Sequence, residues 1–193
     1  MSDKNNNHLS AGGDGNAQVV GDNNTVTNNI TIIMSEAFLP PSLVRDLLDV
    51  VHSLPKSSNT QYSLEMPALM QNKLKFNNAP RYMRRIKNHS NDYACVDEVM
   101  KDYANSETII TTLHDMFIDV ASLDDDGNLR VDNGDEQLQQ MEDELFKIIV
   151  QDSRSREKEY PQEKIRHFCI ALIACGISKC EILLKPSVQN VAT

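Results

Sequence analysis

Apolar residues in this chain follow two different rhythms. From Pro40 onward they recur at helical spacing. Leu43, Val44, Leu47, Leu48, Val50, Val51 and Leu54 predict a first helix, opened by Pro40-Pro41 and closed by Pro55. A weaker pattern over 64–76 contains Pro67, which suits the first turn of a short helix, and Asn77-Asn78-Ala79-Pro80 reads as a surface loop. Further helices are predicted over 92–103, over 106–121 with Ser106 as N-cap, over 138–150, and from Pro161 to about residue 174. The acidic stretch LDDDGNLRVDNGDE forms a long connection with freedom to move, and 177–184 is a terminal turn or short strand before Pro186.

Before Ser35 the rhythm is that of strands and turns. Val19-Val20, Val26, Ile30 and Ile32 sit in short β-branched runs, separated by Gly21-Asp22-Asn23-Asn24 and Asn28-Asn29. Such a segment cannot build a core by itself, and an isolated hairpin is marginal in water. Three states are open to it: a solvated leader, pairing with copies of itself, or docking on a partner's sheet edge. The expected fold class is therefore mainly α, a helical bundle-like domain with a short β-prone N-terminal segment. Its divisions are a leader over 1–34 that oligomerises or docks through Val19, Val20, Val26, Ile30 and Ile32, a helical interaction domain over 35–186, and a flexible tail over 187–193.

Composition narrows the function. The 193 residues suit one compact domain with an appendage, and a core without Trp and with 5% aromatics must be aliphatic. A formal net charge of -9 repels phosphate backbones and anionic lipid, so nucleic acid is disfavoured as a partner. No window is long and apolar enough for a membrane helix, and the N-terminus lacks a signal-peptide core. A cytoplasmic location with reduced, packed cysteines is the expectation.

Four constellations carry candidate chemistry. Arg81, Arg84, Arg85 and Lys87 make the one basic cluster, suited to phosphate contact or to the protein's own acids. Asp124-Asp125-Asp126-Gly127-Asn128 has the composition of a calcium loop but not its ligand register, and an acidic turn explains it better. His167, Cys169, Cys175 and Cys180 are residue types that bind zinc, yet no CxxC pair occurs and the cysteines fall in an apolar helix pattern. No metal or cofactor is assigned. Arg84 and His89 stand in an R-x4-H arrangement that resembles the active-site motif of HEPN ribonucleases, helical proteins in which Arg and His act on the RNA phosphodiester; here Arg85 follows Arg84.

The last stretch, YPQEKIRHFCIALIACGISKCEILLKP, with Cys180-Glu181-Ile182-Leu183 and Pro186, resembles the end of the C-terminal domains of bacterial ABC three-component conflict systems. The GDNNTV leader resembles those placed before effector or adaptor modules of bacterial defence proteins. The resemblance implies an anti-phage component that associates with an ABC-type ATPase and a middle subunit. No room is left before the helical body for a separate effector, so the expectation is a stand-alone adaptor or sensor, non-enzymatic and homo-oligomeric. The alternatives are a small HEPN-like ribonuclease and a nucleic-acid-binding protein using the Arg81 to Lys87 cluster.

Overall fold

The computed structural model describes residues 40–54, 66–179 and 182–186. The leader over 1–34, with Val19, Val20, Val26, Ile30 and Ile32, and the tail over 187–193 lie outside the described residues. Within them the chain is mainly helical: α1 (Leu43–Ser53), α2 (Ala68–Phe76), α3 (Pro80–Asn88), α4 (Ser90–Asp102), α5 (Ser106–Val120), α6 (Gly134–Val150), a 3-10 turn (Ser153–Arg156) and α7 (Gln162–Ser178). None of these helices is long and apolar enough to cross a membrane.

The fold is organised around α7. Every residue from Phe168 to Ile177 is buried, on all sides of the helix, and α2, α3, α4, α5 and α6 pack around it. A helix that is apolar all round must be interior, because it has no face to offer water. Leu172 and Ile173 are fully buried, and each such side chain contributes about 1.5–3 kcal/mol through removal from water. The surrounding helices present one stripe each: Met70 and Leu74 from α2, Val96 and Met100 from α4, Ile109, Leu113 and Phe117 from α5, and Leu138, Met141, Leu145 and Ile149 from α6.

Helix starts follow local chemistry. The Ser42 side chain accepts the Arg45 amide and caps α1, while Pro80 occupies the first turn of α3 where an N–H has no intrahelical partner. At α5, Asn105 rather than Ser106 is the capping position, and Ser106 is the first helical residue. α6 begins four residues before the apolar pattern does, at Gly134, because Asn133 caps it through the Glu136 amide at 3.3 Å and its first turn is acidic.

The segment expected as a surface loop, Asn77 to Pro80, is a turn into α3 with Asn78 and Pro80 exposed, but two of its side chains point inward: Asn77 is 2% exposed and Ala79 fully buried. The reason lies at the far end of the chain. The Asn77 amide donates to the Leu184 carbonyl at 2.8 Å and accepts the Leu184 N–H at 3.1 Å, bracketing the C-terminal segment. Beside it the buried Lys73 ammonium donates to the carbonyls of Ile182 at 2.5 Å and Ile177 at 3.4 Å, a cation at the C-terminal end of α7. Ile182 then seats on Gly176, where an added Cβ would lie 2.4 Å from its Cδ1. Gly134 serves a similar close approach, donating its N–H to the Asn77 carbonyl at 2.8 Å.

The acidic connection closes on itself. Leu123 and Leu129 pair in an isolated antiparallel bridge, and Gly127 takes the left-handed turn position at φ 81°. At the other end of the domain, the buried Asp152 carboxylate accepts the Ser42 amide at 2.8 Å and Arg154 Nη2 at 2.8 Å, while Arg154 also reaches Asp46, so α1 is tied to the turn that follows α6. Burial works against the charge on Asp152, and these bonds more than offset it, holding the carboxyl well below the usual range.

Candidate functional site

α3 and α7 run past one another, and together with α4 and α6 they build a seam of polar side chains. Each of the two helices supplies one arginine to Glu142 of α6, and α7 together with the residue that closes α3 supplies one histidine each to Asp92 of α4. The arginines are Arg85 and Arg166, and the histidines are His89 and His167. An i,i+4 step along α3 sets Arg85 and His89 on one side of the helix, one turn apart. Arg166 and His167 are neighbours on α7, so the two carboxylates are served by the same pair of elements.

The Glu142 end is closed. Its side chain is fully buried and takes two oxygens' worth of partners: Arg85 Nη1 at 2.6 Å and Nη2 at 2.8 Å, the Tyr82 hydroxyl at 2.5 Å and Arg166 Nη1 at 3.3 Å. Arg85 also lies over the Tyr82 ring at 4.8 Å. Burial, then the hydrogen bond to Glu142, push the Tyr82 hydroxyl far up, so it serves as a donor and not as an acid. Burial disfavours the charged Arg85, and its bond with Glu142 outweighs that and raises it.

The Asp92 end is open. His89 closes α3 and precedes α4, Asp92 lies in the first turn of α4, and His167 comes from the first half of α7. Asp92 Oδ2 is 3.3 Å from His89 Nδ1 and 4.0 Å from His167 Nδ1. The two imidazoles are tilted by 39° with centroids 4.1 Å apart. One ligand atom from each residue lies within 4.8 Å of the other two, and all three side chains remain partly exposed, at 25%, 48% and 44%.

The basic cluster is therefore split. Arg85 is consumed by Glu142, whereas Arg81, Arg84 and Lys87 stay exposed. The start of α3, where a phosphate would meet free backbone donors, is already capped: the Arg81 and Tyr82 amides donate to the Asp135 carboxylate at 3.0 and 2.9 Å. Arg84 makes no hydrogen bond or ion pair among the described residues. His89 is joined instead to Asp92 and to the ring of His167.

Between α2, α3 and α6 lies an open groove of about 800 Å³. Lys75, Arg81 and Arg85 stand on one side, and Asp135, Glu136 and Gln139 on the other. The remaining motifs resolve into packing and turns. Cys169 and Cys175 are buried in α7, and burial pushes both thiols up, which keeps them protonated. Cys180 lies outside the described residues. Asp124 accepts the amides of Asn128 at 2.8 Å and Asp126 at 3.0 Å, and the first of these bonds contributes most to lowering its carboxyl.

Sequence reasoning singled out His89 and His167 but grouped them with Arg84 and with cysteines, and it passed over Asp92 and Glu142 altogether. A fully polar position in the apolar stripe of α6 was the available sign for Glu142: it lies between Leu138 and Leu145, next to Met141. The chain matches no protein-family model, no curated protein and no solved structure.

Proposed function

We propose that this chain is a non-enzymatic adaptor or sensor whose helical body binds a protein partner. The observation that supports it is the groove between α2, α3 and α6, which is open and carries both signs of charge. Small-molecule sites are enclosing, and nucleic-acid surfaces are uniformly basic. A mixed-charge open groove suits a polar protein segment, with Lys75 and Arg81 facing acids and Glu136 facing bases. The resemblance of the C-terminal stretch adds a partner class: an ABC-type ATPase and a middle subunit of an anti-phage assembly. Self-association through the leader belongs to the same reading.

Co-expression with an ATPase and small protein encoded beside this gene tests it. Co-elution is expected, and it is lost when Arg81→Glu is combined with Lys75→Glu. Separate elution of the folded proteins would overturn it. Light scattering on the full chain and on a chain lacking residues 1–34 tests the leader; a monomer in both cases removes its oligomerising role. A second reading, nucleic-acid binding through Arg81, Arg84 and Lys87, is favoured only by their exposure. It requires an affinity that falls steeply with salt.

A further inference from the structure

We propose that His89, Asp92 and His167 form a binding site for one first-row divalent transition-metal ion, with Zn²⁺ as the type. The inference stands apart from the adaptor reading, since it uses none of the groove residues.

The donor set comes first. Two imidazole nitrogens and one carboxylate oxygen suit ions of borderline softness such as Zn²⁺, Co²⁺ and Ni²⁺, while Ca²⁺ and Mg²⁺ demand oxygen-rich shells. Three ligands leave coordination positions for water or for an anionic group of a partner.

Geometry comes second. An ion about 2.0–2.2 Å from each ligand requires those ligand atoms to be roughly 3.0–3.5 Å apart. His89 Nδ1 and Asp92 Oδ2 are at 3.3 Å already, and the 4.0 Å separation of His167 Nδ1 from the same oxygen closes with a small turn of a side chain that is 44% exposed. The two rings are already in contact, with centroids 4.1 Å apart, so only side-chain rotation separates their in-plane nitrogen lone pairs from a shared ion.

Support comes third. The three ligands arise from the α3–α4 junction and from α7, the most deeply buried helix, so their backbones are fixed by the core and not by a loop. The cationic neighbour of His167, Arg166, is turned to Glu142 and Asp143, both at 3.3 Å, which offsets its charge beside the site.

A plain ion pair is the competing explanation: His89 and Asp92 lie three residues apart at a helix start, where an acid is favourable without any ligand. That explanation, with His167 as a second neighbour of Asp92, predicts no saturable metal binding and hence no dependence of binding on His167.

The test is a titration of the full chain, tag removed and chelator-treated, with Co²⁺ followed by visible absorption and with Zn²⁺ by competition. One equivalent of Co²⁺ is expected to bind saturably and to be displaced by Zn²⁺. His89→Ala and His167→Ala each weaken binding by about 100-fold or more, since loss of a mere outer-sphere partner already costs about 10–100-fold. His114→Ala, on α5, leaves it unchanged. The metal-free melting temperatures of the variants are measured alongside and stay close to that of the parent chain, because all three side chains are partly exposed. No saturable binding at 100-fold excess, or binding that survives in His167→Ala, overturns the proposal.

Discussion

Glu142 is met by Arg85 and Tyr82 of α3 and by Arg166 of α7, and Asp92 by His89 at the end of α3 and by His167 of α7, yet the two are finished differently. Glu142 is sealed from water, and both its oxygens are saturated by two arginines and a tyrosine. Asp92 is half exposed, and its two histidine neighbours stand at 3.3 and 4.0 Å. A saturated buried carboxylate has no capacity left for a ligand and serves to lock helices in register. An open carboxylate flanked by two imidazole rings retains that capacity. The seam thus separates a structural end from a ligand-competent end within about two turns of helix.

Removal of Glu142 should have the largest effect on stability. Glu142→Ala leaves the buried Tyr82 hydroxyl without its acceptor and the partly exposed Arg85 and Arg166 without their shared partner, and denaturant unfolding should show a loss of about 3 kcal/mol, the upper end for an unsatisfied buried polar group. Gly134→Ala sharpens the comparison from the same helix: a Cβ there would lie 2.2 Å from the Asn77 carbonyl oxygen, so overpacking should cost about 1–3 kcal/mol. Cobalt affinity at the histidines should not move in Gly134→Ala, because that position supplies neither a ligand nor a partner of Arg166.

Asp152 gives the closed class a pH signature. Its carboxyl is held below the ordinary value of 3.8, so its contribution is complete above about pH 4 and is lost as the pH falls through the lower folded-state value. Asp152→Asn should therefore cost about 1.5–3 kcal/mol at pH 7, the range for hydrogen bonds to a charged group, and the gap to the parent should shrink on acidification. Urea melts at pH 7 and pH 3 measure it. Smallest of all is Arg84→Ala, an exposed side chain with no ion pair among the described residues, which should change stability by less than about 0.5 kcal/mol.

Much of the helical frame was legible in the chain because amphipathic spacing and proline placement are local signals. α1 falls where Leu43 to Leu54 and the flanking prolines put it, and α7 starts where Pro161 puts it but runs on to Ser178, past the expected end near residue 174 and into the stretch read as a turn or strand. What escaped depends on distant partners. Asn-Asn-Ala-Pro is a turn as its residues predict, but nothing near Asn77 reveals that its amide will bracket Leu184 and so be buried. The polar first turn of α6 hid its true start for a different reason, since Asp135 and Glu136 complement the helix dipole and carry no apolar period. At the site, both histidines are visible in the sequence, but their meeting follows from α3 and α7 packing together, and Arg84 drew notice that the i,i+4 geometry gives to Arg85.

The most direct test sets the two carboxylates against each other in their mildest variants. Thermal unfolding of metal-free Glu142→Gln and Asp92→Asn should show a loss of several degrees for the first and almost none for the second. Added Zn²⁺ should raise the melting temperature of the parent and of Glu142→Gln but not of Asp92→Asn. Equal losses in the two variants without metal, or a Zn²⁺ response that persists in Asp92→Asn, would contradict the division of the seam into a closed end and an open one.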